Sequence, residues 1–152
     1  MRRSFAAVVA LCGYFASGFQ SVVRGVGQRR GVERLFAAEM DEAEFEKALA
    51  AMTSFSNRYV KLSDTKYCSE ASVPAVVIRG LAEHKVTLGA PLCPCRFYED
   101  KQAEAKDGYW NCQCVHMRER KECHCMLFLT EDNEFVGDST EITVDEIQNL
   151  TA

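Results

Sequence analysis

No stretch of this 152-residue chain stays apolar for the ~20 residues that a membrane-spanning helix needs, which argues against an integral membrane protein. Positive charge is scarce where a nucleic-acid partner would need it. Residues 41–152 hold 12 basic against 20 acidic residues, net −8, whereas residues 1–40 hold six Arg against two Glu, net +4. A nucleic-acid binder carries a basic footprint on its folded part, and this body does not. The last 22 residues carry seven acids and no base. There is no internal repeat beyond paired cysteines and no low-complexity stretch. With 47% hydrophobic and 26% charged residues, the chain can bury a core and is not globally disordered.

Cysteine is plentiful, and it is clustered. Six of the eight cysteines fall between Cys93 and Cys125. A secreted disulfide framework spreads its bridges to staple distant loops, so this crowding points to a metal or redox centre.

The basic N-terminal segment reads as an address. Met1-Arg2-Arg3 precedes a largely apolar run from Phe5 to Phe15 and the small residues Ala16-Ser17-Gly18, as in a secretory signal. From Phe19 the chain turns to Arg24, Arg29, Arg30 and Arg34 with Glu33 as the one acid up to Leu35, a transit-peptide composition. A signal-like segment 1–18 followed by a transit-like segment 19–37 resembles the two-part presequence of proteins sent to plastids with extra membranes. The expected mature domain is 38–152, which leaves Cys12 in the removed part.

In the body, Phe45, Leu49, Met52, Phe55 and Tyr59 recur at helical spacing and predict a helix over Asp41–Lys61. Ser72, Pro74 and Gly89 mark a second over Pro74–Leu88, with Val73, Val77, Leu81 and Leu88 inward and Gly80 as a weak point. A third short helix is expected over Phe97–Lys106, and Thr143-Val144-Asp145-Glu146 is a capping box for a terminal one. Met126–Leu129 is too short to assign. The acidic tail reads as a solvated, partly mobile end, His84 as a helix-end cation, and Cys68 as a small buried residue. Arg118, Arg120 and Lys121 read as a charge run, interrupted by Glu119 and Glu122.

The chemistry lies in Cys93-Pro94-Cys95, Cys112-Gln113-Cys114 and Cys123-His124-Cys125, three Cys-x-Cys pairs separated by sixteen and eight residues. Zinc knuckles space their cysteines more widely, by two to four residues. Four thiolates satisfy a zinc ion or a cubane iron–sulfur cluster, and six exceed both. Four ligands and one redox pair is the natural division, and spacing alone does not choose the pair.

The flanking residues carry a resemblance. Pro91-Leu92-Cys93-Pro94-Cys95-Arg96, Trp110-Asn111-Cys112 and the run Met117–Leu129 are similar to the catalytic subunits of ferredoxin–thioredoxin reductases, over roughly residues 41–147. The resemblance implies that Cys93, Cys112, Cys114 and Cys123 bind a [4Fe–4S] cluster. It implies a redox-active disulfide between Cys95 and Cys125, with Cys95 the exposed nucleophile and His124 the proton donor and acceptor. It also implies a small, mainly α single domain whose loops are organised by the cluster, and a heterodimer with a variable (alpha) subunit in the plastid stroma. Ferredoxin and thioredoxin would dock on opposite faces, and Arg118, Arg120 and Lys121 could steer an acidic ferredoxin.

Such an enzyme faces a problem of stoichiometry rather than energy. Ferredoxin gives one electron near about −400 mV and a thioredoxin disulfide takes two near about −270 mV, roughly 6 kcal/mol downhill. Three positions depart from the family's usual pattern: Gln113 and His116 replace Pro, and Phe97 replaces His. A non-enzymatic metal module, an iron–sulfur sensor or structural zinc, is the rival expectation.

Overall fold

The structure is a computed structural model that describes residues 41–152. The expected presequence over 1–37 and Cys12 lie outside the described residues. Five helices follow one another: α1 (Glu42–Ser63), α2 (Ser72–Leu88), α3 (Lys101–Asp107), α4 (Val115–Arg120) and α5 (Val144–Leu150). The mainly α expectation holds: among the described residues, β pairing is limited to three isolated bridges.

α1 starts where Asp41 accepts a hydrogen bond from the Ala43 amide and ends at Asp64 in the left-handed region. Its inward residues Leu49, Met52, Ser56 and Val60 keep helical spacing, while Phe45, Phe55 and Tyr59 lie partly buried beside them. α2 packs on α1 through Ala75, Ile78, Leu81 and Ala82, all fully buried or nearly so, and stops at Gly89 with φ 77°. The helix begins at Ser72 rather than Pro74 and has no side-chain cap, because Ala71 occupies the N-cap position; the Ser72 hydroxyl donates to Glu70.

Two expectations change in detail. α3 begins at Lys101, since Asp100 caps it by accepting from the Gln102 and Ala103 amides at 3.0 Å; Phe97 is left outside, 90% exposed. The acidic tail is docked rather than solvated and loose. Thr143 and Glu146 form the capping box, Ile147 is fully buried, and α5 rests on α2. Asn57 on α1 holds the approach by donating to the Ile142 carbonyl (2.9 Å) and accepting from its amide (3.1 Å). Arg79 donates to the carbonyl (3.0 Å) and hydroxyl (2.9 Å) of Thr151.

Of the run that periodicity left unassigned, Met126–Leu129, the residues Leu127, Phe128 and Leu129 are core and Met126 is half-buried. Leu129 pairs with Lys66 through two main-chain hydrogen bonds of 2.8 and 2.9 Å, threading the third cysteine pair's flank under α1. Cys68 is buried as expected, in a bridge with Val136.

Candidate metal and redox centre

Local hydrogen bonds bring the cysteine pairs together. The Leu92–Asn111 bridge sets the first pair beside the second: the Cys93 amide donates to Trp110 O (3.1 Å) and the Cys112 amide to Pro91 O (2.8 Å). Tyr98 and His84 fix the same loop, donating to the carbonyls of Cys93 (3.0 Å) and Leu92 (2.7 Å). The other His84 nitrogen faces Lys101 Nζ at 3.3 Å. His84, expected as a helix-end cation, ties this loop to α2.

Gly80 explains its own place in a helix. A β-carbon there would lie 2.7 Å from Pro94 Cβ, so α2 yields its surface to the Cys93-Pro94-Cys95 loop. The second pair leads into α4, a six-residue helix that was too short to read in sequence. The third pair is followed by the buried Leu127–Leu129 run.

The result is one enclosed cavity lined by five cysteines, Cys93, Cys112, Cys114, Cys123 and Cys125, and closed by Val77, Leu81, Met117, Leu127 and Phe128. Cys95 is not part of that wall; it is exposed to solvent. The sulfurs of Cys93, Cys95 and Cys125 lie within 4.8 Å of one another, a group able to hold a metal ion. The shortest approach, 2.6 Å, is between Cys93 and Cys125, one residue that the resemblance assigns to the cofactor and one it assigns to the redox pair. Cys112, Cys114 and Cys123 are half-buried against the main core. His124 is exposed and lines both this cavity and the open groove beside it.

The thiols are not equivalent. Hydrogen bonds from Cys125 and Cys93 hold the Cys95 thiol down to about 4. Cys123 is held down to about 7, first by the Cys125 thiol and also by main-chain amides including those of Phe128 and Leu127, which outweigh its burial. Burial, then the neighbouring Cys123 and Cys93, pushes Cys112 well up. Cys125, bonded to Cys123, Cys93 and Cys95, is also raised and keeps its proton. Cys95 is thus the exposed thiol whose pKa is lowered, and Cys125 the neighbour whose pKa is raised. A soft, all-sulfur donor set in an apolar enclosure suits an iron–sulfur cluster or zinc and is wrong for magnesium or calcium.

The departures also find places. Gln113 lines the cavity. His116 is half-buried, its ring 4.9 Å from the Trp110 ring at 27°, and it touches Arg120. Arg96 covers Trp110 with its guanidinium 3.6 Å from the ring centroid. The open groove takes in Arg96, His116, Arg120 and Lys121. Arg120 is paired with Glu122 at 2.9 Å and Lys121 donates to Ser63 O at 3.1 Å, both at the surface.

Comparison with known proteins agrees with this architecture. The sequence model described as "Ferredoxin thioredoxin reductase catalytic beta chain" matches residues 42–150. The chloroplastic ferredoxin-thioredoxin reductase catalytic chain of Spinacia oleracea is 56% identical over 123 residues, covering 81% of this chain and 84% of that protein. The catalytic chain of Synechocystis sp. is 60% identical over 106 residues, covering 70% and 90%. That of Arabidopsis thaliana, also chloroplastic, is 53% identical over 135 residues, covering 89% and 92%. With six cysteines gathered about one enclosed site and this degree of likeness over nearly the whole described body, the chain belongs to the ferredoxin–thioredoxin reductase catalytic chain family of oxidoreductases.

Proposed function

We propose that this chain, paired with a variable subunit, takes single electrons from ferredoxin and delivers them in pairs to the disulfide of thioredoxin. One observation carries the reading: five sulfurs line a closed cavity while the sixth, Cys95, is exposed beside Cys125. Cys93, Cys112, Cys114 and Cys123 would hold a [4Fe–4S] cluster, a group that supplies one electron at a time next to Cys125.

The protein residues then divide the work. The Cys95 thiolate attacks one sulfur of the thioredoxin disulfide; a mixed disulfide forms, the thioredoxin S–S bond breaks, and the first thioredoxin thiolate leaves and takes up a proton. Cys125 gives up its proton and attacks the Cys95 sulfur. This releases the second thioredoxin thiol, which takes the Cys125 proton, and closes the Cys95–Cys125 disulfide; two electrons from two ferredoxins reopen it, with one proton returning to Cys125 and Cys95 left as the thiolate. The two sulfurs lie within 4.8 Å of one another, against the about 2 Å of a disulfide. His124, exposed between Cys123 and Cys125, carries protons to and from Cys125 at its imidazole. The groove with Arg96, Arg120 and Lys121 offers an acidic ferredoxin a steering surface.

Residues 1–37 would direct the chain to the plastid stroma, consistent with the family match beginning at residue 42 and with the chloroplastic plant relatives. The test of function is ferredoxin-driven reduction of thioredoxin by the heterodimer, with Cys95→Ser as the decisive variant. Activity should vanish with iron content unchanged. Retained activity, or loss of iron with Cys95, overturns the division of roles.

A further inference from the structure

In the loop Cys95-Arg96-Phe97-Tyr98, Phe97 stands between two engaged neighbours. Arg96 lies over Trp110, its guanidinium 3.6 Å from the ring centroid. Tyr98 is buried and donates to the Cys93 carbonyl at 3.0 Å. Between them the Phe97 ring is 90% exposed, more than any other large apolar side chain among the described residues. It follows the exposed Cys95 by two residues. A disulfide between Cys95 and a partner protein sets the two Cα atoms about 4.4–6.8 Å apart, which lays the partner's surface on this loop. The Cα of Phe97 lies within about 7 Å of that of Cys95, the reach of two residues. An interface of about 500 Å² per partner, the size of a weak redox encounter, is a disc of about 13 Å radius. Phe97 falls inside such a disc centred on Cys95.

We propose that Phe97 is the apolar docking residue for the protein disulfide that Cys95 attacks, packing on an uncharged, apolar surface that borders the partner's disulfide. This rests on the reading of Cys95 as the nucleophile toward thioredoxin. The ring carries no charge and no hydrogen-bonding group, so covering it is favourable only where the facing surface is apolar as well. The contact lies outside the atoms that exchange bonds. It therefore tightens the encounter complex and leaves the thiol–disulfide step unaltered, an effect on KM rather than on kcat. It also selects among disulfide proteins, since one with a charged flank at this point would have to desolvate that charge against the ring.

The experiment is steady-state, ferredoxin-driven reduction of thioredoxin by the holo heterodimer in wild type, Phe97→Leu and Phe97→Asn, two replacements of similar volume and opposite polarity. The ring is exposed, so neither should disturb folding. Wild type that does not reduce thioredoxin refutes the reading of Cys95, and this proposal with it. With activity present, Phe97→Asn is expected to raise the KM for thioredoxin roughly tenfold at unchanged kcat, and Phe97→Leu by less than about threefold. Equal KM values for thioredoxin in the two variants overturn the proposal. A matching rise in the KM for ferredoxin, or weaker association with the variable subunit, also overturns it, because the ring would then face another partner. Alkylation of Cys95 by iodoacetamide in the reduced heterodimer, read against Cys95→Ser, is expected to keep the wild-type rate in both variants. A slower rate in Phe97→Asn would make the effect one of thiol reactivity and overturn the docking role.

Discussion

Gly80 and Pro94 meet so closely that a β-carbon at position 80 would stand 2.7 Å from Cβ of Pro94 and 3.0 Å from its Cγ. This contact seats the loop carrying Cys93 and Cys95 directly on α2. In Gly80→Ala the helix gains about 1 kcal/mol from propensity, against about 1–3 kcal/mol for the forced contact. Global stability should therefore move by less than about 2 kcal/mol, while the loop is pushed off its seat. The expected outcome is a folded chain with reduced iron content. Full iron loading and unchanged thioredoxin reduction in that variant would show that the contact does not position the site.

Tyr98→Phe removes one buried hydrogen bond, the one to the Cys93 carbonyl, at about 1 kcal/mol. Metal loss to a chelator should be faster than in wild type while the far-ultraviolet spectrum is unaltered. His84→Ala, which frees the adjacent Leu92 carbonyl, should act in the same direction.

Much of this arrangement was legible in the sequence, for reasons that differ by element. The first two helices announce themselves through apolar residues at helical spacing and through end residues, Asp41 at one start and Gly89 at the other's stop. The cysteine pairs marked the site because the chemistry needs those atoms, whatever holds them. What the sequence did not disclose depends on distant partners. The tail looked loose because its only fully buried side chain is Ile147 and its clamp, Asn57, lies 85 residues before Ile142. His84 did not read as a loop tie because the Leu92 carbonyl and Lys101 beside it are brought to it by folding. The helix α4 has six residues, fewer than two turns, so no periodicity betrays it.

The Asn57 clamp gives a direct prediction. Besides its two bonds to Ile142, Asn57 accepts from the Tyr67 hydroxyl at 2.8 Å. Asn57→Ala should cost about 2–3 kcal/mol, since it strands three partners that are half-buried or buried. Amide hydrogen exchange in α5 should rise more than in α2, because the tail loses its anchor while the α1–α2 core is untouched. Equal acceleration in both helices would mean that the tail has no separate anchor.

The capping box is sensitive to pH. The Thr143 amide and hydroxyl hold the Glu146 carboxyl below its ordinary value of 4.5. A depressed carboxyl stabilises the folded state above its unfolded pKa, and the contribution is lost as pH falls through the folded value. Glu146→Gln keeps an acceptor for Thr143 and removes the titration. The stability difference between wild type and this variant should thus be constant near neutrality and shrink below about pH 4.5. A difference that does not change with pH would contradict the role given to the charge.

The central claim is that the cysteine-lined cavity holds a cubane cluster beside a redox-active thiol pair. Iron and acid-labile sulfide, counted per chain in protein purified without oxygen, test it most directly. The account predicts about four of each. Zinc without sulfide would contradict it and leave a structural metal module in its place.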